Sequence, residues 1–344
     1  MSPLNAPAQM QRDEALSPAQ TLWSMNSADM AAVDALILER MHSPVGLIPD
    51  LAEHLVGAGG KRLRPLLTVA TARLCGYTTD QGGDAHHKLA AAVEFIHSAT
   101  LLHDDVVDES DLRRGKKPAN LIWGNSASIL VGDFLFARAF NLMVETGSMH
   151  ALGILSNAAS VIAEGEVQQL AALRNIAMTE ADYMDVIKAK TAALFAAATE
   201  VSPVIAGLDT DKRQALRDYG LKLGLAFQLI DDALDYGGQQ AALGKSVGDD
   251  FREGKMTLPV IRTLTRADDV EIAFWRKVIV ERDQDDLDLQ RAVSYLRKSG
   301  ALEETVQMAR RFSVEAIEAL DQFEKTPLRD CLQNLAAYVV SRAS

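Results

Sequence analysis

The chain has 344 residues, 48% of them hydrophobic and 24% charged, and its formal net charge is −12 at pH 7. This composition is typical of a globular protein, and the acidic balance argues against a nucleic-acid-binding protein, which needs a basic surface to pair with phosphates. Small anionic substrates are not excluded, because a metal cation and a few convergent Lys and Arg side chains can supply positive charge locally.

The N-terminal stretch differs in composition from the remainder of the chain. Residues 1–27 are rich in Pro and Gln and poor in apolar residues, so we predict a disordered tail there and one folded domain over residues 28–344. No basic region followed by an apolar run occurs near the N-terminus, and no run of about 18 uninterrupted apolar residues occurs anywhere in the sequence. The sequence therefore predicts a cytoplasmic protein without a transmembrane segment.

From Ala31 onward, Ala, Leu, Val and Ile recur at three- and four-residue spacing, which predicts helices. We find no sustained alternation of the kind that predicts strands. Short glycine clusters interrupt the pattern and predict loops between helices, namely Gly57-Ala58-Gly59-Gly60, Gly82-Gly83 and Gly237-Gly238. The pattern predicts an all-α fold in a single domain.

Two of the predicted helices end in acidic clusters. The first, over residues 88–108, has a stripe of mostly small or aliphatic side chains, namely Leu89, Ala92, Val93, Ile96, Ala99 and Thr100. The second, over residues 218–236, is apolar on several faces, as expected of a helix that is buried all round.

The same Asp-Asp-x-x-Asp pattern occurs at both helix ends, 127 positions apart (231 minus 104). The clusters are Asp104, Asp105 and Asp108, and Asp231, Asp232 and Asp235. Residues i and i+4 lie on one face of a helix, so the first and last carboxylates of each cluster point together and repel. A solvated helix end explains a single cluster, whereas two matched clusters favour a bound cation. Magnesium fits, because it binds one or two carboxylates together with substrate phosphates.

Basic residues accompany both clusters. Each alone is more often a surface charge, but together they suit diphosphate binding, for which Arg offers a rigid fork and Lys a compact charge. They are Lys61, Arg62, Arg64, Arg113, Arg114, Lys190, Lys245 and Lys255.

These motifs resemble those of the trans-type polyprenyl diphosphate synthases, in particular the octaprenyl and decaprenyl enzymes that make quinone side chains. The resemblance covers about residues 28–340. The matching segments are residues 59–65 (Gly-Gly-Lys-Arg-Leu-Arg-Pro), 94–97, 101–115, Gly165-Glu166, Lys190-Thr191, Phe227-Gln228, the second aspartate cluster, Gly244-Lys245 and Glu253-Gly254-Lys255.

The resemblance implies a helical bundle of the isoprenoid synthase type around a central cavity. It implies that this enzyme condenses isopentenyl diphosphate with an allylic diphosphate. The first cluster is expected to hold two magnesium ions through Asp104 and Asp108, and the second a third ion through Asp231, assisted by Asp232 and Asp235. The residues expected to bind the allylic diphosphate are Arg113, Lys190, Lys245 and Lys255. Those expected to bind isopentenyl diphosphate are Lys61, Arg64, His97 and Arg114.

The chemistry of the implied reaction agrees with these roles. Breaking the allylic carbon–oxygen bond leaves a carbocation and a diphosphate, and metal ions neutralise the new negative charge. Besides Lys190, the candidate catalytic residues are Thr191 and Gln228, whose oxygen dipoles can stabilise the carbocation. The departed diphosphate can take the proton, so no side-chain base is expected.

The apolar stripe before Asp104 predicts the product length. Thr100 and Ala99 lie only about 6 and 7.5 Å before the metal site at 1.5 Å per residue, where the short-chain relatives carry an aromatic plug. Ile96, in the next turn, is also modest in size. The resemblance therefore places the floor of the pocket on neighbouring helices, at Phe140, Met143 and Leu155, and implies products of about eight to ten isoprene units, roughly C40 to C50.

Three alternatives remain. A shorter-chain farnesyl or geranylgeranyl diphosphate synthase has the same motifs. A terpene cyclase shares the helical fold but has no second diphosphate site, so Lys61 and Arg64 argue against it. A non-catalytic partner subunit would be expected to lack acids of one cluster, whereas all six are present. A homodimer is implied by the family, and a transient contact with a membrane surface by its apolar product.

Overall fold

The structure, a computed structural model, describes residues 16–57, 62–108, 117–237, 248–285 and 287–342. Helices dominate these ranges and no strand occurs in them, which confirms the predicted all-α fold. The α-helices are α1 (Pro18–Met25), α2 (Ser27–Met41), α3 (Leu47–Gly57), α4 (Leu63–Leu74), α5 (Thr79–Gly82), α6 (Ala85–Val107), α7 (Ala119–Trp123), α8 (Asn125–Glu145), α9 (Met149–Ala172), α10 (Glu180–Ile187), α11 (Ala193–Ile205), α12 (Thr210–Tyr236), α13 (Asp249–Glu253), α14 (Leu258–Leu264), α15 (Asp269–Trp275), α16 (Asp288–Lys298), α17 (Ala301–Ala319) and α18 (Pro327–Ser341). Two π-helical turns, Lys188–Ala192 and Arg276–Val280, and a 3₁₀ turn, Leu320–Gln322, lie between them.

Part of the stretch expected to be a disordered tail, residues 1–27, is helical, because α1 and the start of α2 lie within it. Ser17 and Gln20 form a capping box at the start of α1, and Pro18 occupies the first helical position, where its missing N–H costs nothing. Leu22 is fully buried where α1 packs against α18 and α4. The prediction of disorder was wrong for this segment, because Pro18 and Gln20 help to start a helix. Residues 1–15 lie outside the described ranges.

The core is built around α6 and α12. Helix α6 packs against α2, α4, α8 and α11, and α12 packs against α11, α17 and α18. The middle of α6 is buried on every side, and its Ala90, Ala91 and Ala92 leave room for neighbouring helices to approach closely. The two helices that end in aspartate clusters are thus packed on several sides by other helices, which holds both clusters in place.

The bounds of these two helices differ modestly from the predicted ones. Helix α6 begins at Ala85 and ends at Val107, and Asp108 caps it by donating its backbone N–H to the carbonyl of Asp104. Helix α12 begins at Thr210, eight residues before the predicted start, because the side chain of Asp209 accepts a hydrogen bond from the backbone N–H of Lys212 and caps the first turn.

Within the described ranges, one helix is long and apolar enough to cross a membrane, namely α8. It packs against α6 and α9, and Leu135, Leu142 and Met143 are buried in those contacts. Core helices of globular proteins share this length and composition, so α8 is weak support for a membrane span.

Candidate active site

The first aspartate cluster lies at the C-terminal end of α6. The side chains of Asp104 and Asp108 are 14% and 22% exposed, so both open to solvent on one face of the helix end. Asp105 lies one position further round the helix and is almost fully buried. The i, i+4 pairing predicted from the sequence is therefore the pair that a cation can reach, and Asp105 is not part of that open face.

The second cluster lies at the C-terminal end of α12 and has one open carboxylate. Asp231 is 24% exposed, and its Oδ1 lies 3.4 Å from Nη1 of Arg342, near the end of the chain. Asp235 is buried and accepts the backbone N–H groups of Asp249 and Asp250 at 3.2 and 3.1 Å, so it caps the short helix α13. The structure thus makes Asp231 the most accessible acid of this cluster.

Asp232, the middle acid of the second cluster, is held by two donors. The hydroxyl of Tyr183 donates to its Oδ2 at 2.5 Å, and Nε2 of Gln228 donates to its Oδ1 at 2.8 Å. Gln228 in turn accepts a hydrogen bond from the hydroxyl of Thr191 at 2.8 Å. A continuous chain of hydrogen bonds therefore joins both predicted carbocation-stabilising residues to this carboxylate.

The site has an excess of negative charge. Burial, followed by the charge of Asp250, raises the pKa of Asp232 to about 8 and that of Asp235 to about 7. Burial and the charge of Asp104 also raise the pKa of Glu166. Carboxyl groups this crowded favour their neutral forms unless a cation lies among them. The hard oxygen donors at the two helix ends fit magnesium, with Asp104, Asp108 and Asp231 as the residues that would hold it.

Two predicted diphosphate-binding lysines lie against the first cluster. Nζ of Lys190 is 3.6 Å from Asp104 and 2.7 Å from Glu166. Nζ of Lys255 is 3.5 Å from Asp108 and also pairs with Glu253. Burial alone would lower the pKa of Lys255, but the charges of Asp250, Asp108 and Glu253 raise it, so this lysine stays cationic. Both ammonium groups are therefore positioned beside the carboxylates where a diphosphate would bind.

Lys190 and Thr191 lie on the π-helical turn Lys188–Ala192, a local widening that often occurs at functional sites. Two glycines let neighbouring helices approach this turn. A Cβ atom at Gly165 of α9 would lie 2.7 Å from Cβ of Ala189, and one at Gly224 of α12 would lie 2.8 Å from Cα of Ala192. Larger residues at either position would displace the turn that carries Lys190 and Thr191.

The two described residues of the predicted isopentenyl diphosphate site lie together. Nη1 of Arg64, in the first turn of α4, is 3.1 Å from Nε2 of His97 on α6. The guanidinium of Arg64 also lies over the ring of Phe195, 4.5 Å from its centroid. Lys61, Arg113, Arg114 and Lys245, the remaining predicted diphosphate ligands, lie outside the described residues.

A cavity of about 140 Å³ connects several of these groups. Its lining includes Lys190, Thr191, Gln228, Asp232 and Lys255, together with the ring of Tyr183. The structure therefore brings together side chains from α10, α12, the π-helical turn and the segment before α14.

The predicted chain-length residues are mostly buried. Ile96 and Ala99 are fully buried, and Thr100 is half-buried, with its hydroxyl bonded to the carbonyl of His97. Met143 and Leu155 are fully buried on α8 and α9. Phe140 is instead 40% exposed, because it lies beside the buried stripe of α8, so the structure does not support it as a floor residue.

Four residues without an assigned role belong to this site. They are Glu166, Tyr183, Asp250 and Arg342. Glu166 pairs with Lys190, and Tyr183 donates to Asp232. The charge of Asp250 raises the pKa of Asp232, and Arg342 lies against Asp231. The Gly165-Glu166 motif signals the first of them. No local pattern marks the other three, because they reach the site only through tertiary packing.

The sequence profile of the polyprenyl synthetase family matches residues 45–296. The chain belongs to this family. It is 46% identical over 318 residues to the octaprenyl diphosphate synthase of Escherichia coli strain K12, an alignment that covers 92% of this chain and 97% of that enzyme. These findings confirm the family, the isoprenoid synthase architecture and the prenyltransferase class expected from the motifs.

Solved structures of other family members have the same fold. The decaprenyl diphosphate synthase from Rhodobacter capsulatus is 55% identical, with a TM-score of 0.89 and coverage of 95% of this chain and 100% of that one. A polyprenyl synthase from Caulobacter crescentus CB15, solved with calcium and isoprenyl diphosphate, is 56% identical, with a TM-score of 0.89 and coverage of 95% and 98%.

Proposed function

We propose that the protein condenses isopentenyl diphosphate with farnesyl diphosphate or a similar allylic diphosphate, in a magnesium-dependent reaction, to give a linear trans-polyprenyl diphosphate of about eight to ten isoprene units. One observation carries this proposal. The open carboxylates Asp104 and Asp108 at the end of α6 lie beside Lys190 and Lys255, at one end of a stripe of small buried side chains on the same helix. The names of the octaprenyl and decaprenyl relatives support the long product.

Different side chains bind the two substrates. Lys190 and Lys255 exchange their carboxylate partners for the allylic diphosphate as it binds, which keeps both ammonium groups paired. Arg64 and His97 hold isopentenyl diphosphate about two helical turns before Asp104, on the same face of α6. Bound magnesium supplies Lewis-acid stabilisation of the leaving diphosphate.

The chain of hydrogen bonds described above then stabilises the carbocation. Thr191 and Gln228 present oxygen dipoles toward the allylic carbon, and Asp232 fixes Gln228 so that these dipoles need not reorganise during the reaction. The new carbon–carbon bond forms as the double bond of isopentenyl diphosphate attacks the cation. This attack leaves a cation on the isopentenyl unit. The released diphosphate takes a proton from the carbon next to that cation, which forms the allylic double bond of the product.

Incubation of the purified protein with Mg²⁺, radiolabelled isopentenyl diphosphate and farnesyl diphosphate tests the proposal. Products are dephosphorylated and separated by reversed-phase chromatography against polyprenol standards. We expect alcohols of about 40 to 50 carbons. Products that stop at 15 or 20 carbons would identify a shorter-chain synthase, and no extension of either substrate would reject the reaction.

We further propose that the protein forms a homodimer through α8 and α9. Large apolar side chains are exposed on these two helices, namely Leu130, Phe140, Val144 and Met149, and exposed apolar surface of this kind marks interaction sites. Sedimentation velocity should show a dimer, and Leu130→Lys with Val144→Lys should yield monomers. A wild-type monomer at micromolar concentration would contradict the proposal.

Three further details belong to the proposal. We propose that three magnesium ions bind per active site, that the enzyme works in the cytoplasm, and that it touches the membrane surface transiently as its apolar product leaves. Calorimetric titration with Mg²⁺ in the presence of an unreactive allylic diphosphate analogue counts the ions. Fractionation of cells and co-sedimentation with lipid vesicles test the other two.

A further inference from the structure

A cluster of metal-binding side chains lies far from the active site, where the start of α2 meets the start of α6. Asp29 is in the first turn of α2, and His86 and His87 are in the first turn of α6. Nε2 of His87 lies 3.0 Å from Oδ1 of Asp29, and Nε2 of His86 lies 3.5 Å from the same oxygen. One ligand atom from each residue falls within 4.8 Å of the other two.

The donor set suits a late first-row divalent ion. Two imidazoles and one carboxylate are common ligands of Zn²⁺, whereas magnesium prefers oxygen ligands alone. With metal–ligand bonds of about 2.0–2.1 Å, the ligand atoms of a tetrahedral Zn²⁺ lie about 3.3 Å apart. The two nitrogen–oxygen separations, 3.0 and 3.5 Å, bracket that value.

Hydrogen bonding alone leaves this cluster incompletely satisfied. Both imidazoles converge on one carboxylate oxygen, and the His86 side chain is only 1% exposed. One carboxylate oxygen thus faces two imidazole nitrogens at 3.0 and 3.5 Å, and a cation held by both nitrogens and the carboxylate would replace this shared contact.

The residues around this cluster are compatible with a bound cation. Arg73 is the described cation nearest to the carboxylate, with Nη1 4.0 Å from Oδ2 of Asp29. It donates to Oδ1 of Asn26 at 3.0 Å and to the carbonyl of Met25, and it faces the carboxylate oxygen that the histidines do not use. The edge of Tyr77 packs against His86 on one side. His87 and Asp29 are 12% and 22% exposed, which gives an ion a route from solvent.

We propose that Asp29, His86 and His87 bind one Zn²⁺ ion that joins α2 to α6, with water as the fourth ligand. The site is separate from the aspartate clusters, because His86 and Asp104 are 18 residues apart on α6, or about 27 Å along the helix. An ion that binds only the folded chain stabilises it by mass action. The site is therefore structural, and it holds the N-terminal helices against the core.

The test uses the full-length protein, stripped with a chelator and returned to buffer with saturating Mg²⁺, which occupies the aspartate clusters. Zn²⁺ is then titrated by calorimetry and by thermal denaturation. We expect one Zn²⁺ per chain and a higher melting temperature. Asp29→Asn and His87→Gln should each weaken Zn²⁺ binding by more than about tenfold and abolish the thermal shift. The control, His42→Gln, changes an exposed histidine outside the cluster and should bind as wild type does.

Binding of Co²⁺ to the wild-type chain gives a second readout that does not depend on the variants folding. A tetrahedral nitrogen and oxygen site should give the intense visible absorption of four-coordinate Co²⁺, and Zn²⁺ should displace it. The proposal is overturned if the Mg²⁺-loaded wild type takes up no Zn²⁺, if its Co²⁺ spectrum is that of a six-coordinate ion, or if both variants bind Zn²⁺ as wild type does.

Discussion

Replacing Tyr183 by Phe tests whether Asp232 must be held in place for catalysis. The substitution removes one hydroxyl, which donates to Oδ2 of Asp232 at 2.5 Å where both side chains are almost fully buried. Among the described residues, the other donor to this carboxylate is Gln228, which bonds to the opposite oxygen, Oδ1. The carboxylate then loses one of its two orienting contacts.

The expected loss follows from the strength of that contact. A hydrogen bond to a charged group contributes about 1.5–3 kcal/mol, which corresponds to a factor of roughly 10 to 150 in an equilibrium constant. We expect the apparent affinity for Mg²⁺ and kcat/KM to fall by a factor in this range. Because Phe fills the same space, the helical circular dichroism signal should be unchanged.

Tyr219→Phe is a matched control. Tyr219 is equally buried on α12, and its hydroxyl donates to the carbonyl of Leu332 at 2.9 Å, away from the acids. Both variants are assayed for incorporation of radiolabelled isopentenyl diphosphate over a range of Mg²⁺ concentrations, with Mg²⁺ binding measured separately by calorimetry. An unchanged Mg²⁺ dependence in Tyr183→Phe, or an equal shift in Tyr219→Phe, would refute the positioning role.

Other substitutions test the remaining assignments. Asp104→Ala and Asp231→Ala should each lower turnover at saturating Mg²⁺ by more than about tenfold with helical content retained, and activity above about a tenth of wild type would remove that residue from the metal site. Arg64→Ala should raise KM for isopentenyl diphosphate by about 10- to 150-fold and leave KM for farnesyl diphosphate unchanged, whereas the reverse result in steady-state assays would mean that the two subsites are interchanged. Ala99→Phe should shorten the product to about 15–20 carbons, as read by chromatography, because the ring fills the path about 7.5 Å before Asp104. Ala91→Phe, at a buried alanine outside the stripe, should lower the melting temperature without shortening the product, and an unchanged product from Ala99→Phe would contradict the tunnel.

The reaction class could be predicted from the sequence because the aspartates that indicate it lie close together in short motifs. Asp104 and Asp108 share a face through helix geometry alone, and the repeat at Asp231 and Asp235 made chance improbable. The helix at residues 18–25 could not be predicted in this way. Leu22, Trp23 and Met25 form only a short apolar segment, and the burial of Leu22 depends on contacts with α18, about 300 residues later.

The roles within each cluster required the tertiary structure. The two clusters have the same sequence pattern, yet Asp105 is buried, Asp235 caps α13 and Asp231 stays open. Those differences depend on which helix packs against each carboxylate, and no local pattern encodes such packing.

The sequence by itself determined the helical fold and the doubled aspartate motif, because both follow from the spacing of residues along a helix, whereas the expected roles of the other site residues came from the resemblance to the family. Only the tertiary structure decided that Tyr183 holds Asp232, that Lys190 and Lys255 lie against the first cluster, and that Phe140 faces outward. It also decided that Asp29 meets His86 and His87 across 57 positions (86 minus 29). The physical reason is that burial and hydrogen-bond partners are set by helices distant in the chain, whose approach depends on the packing of the whole core.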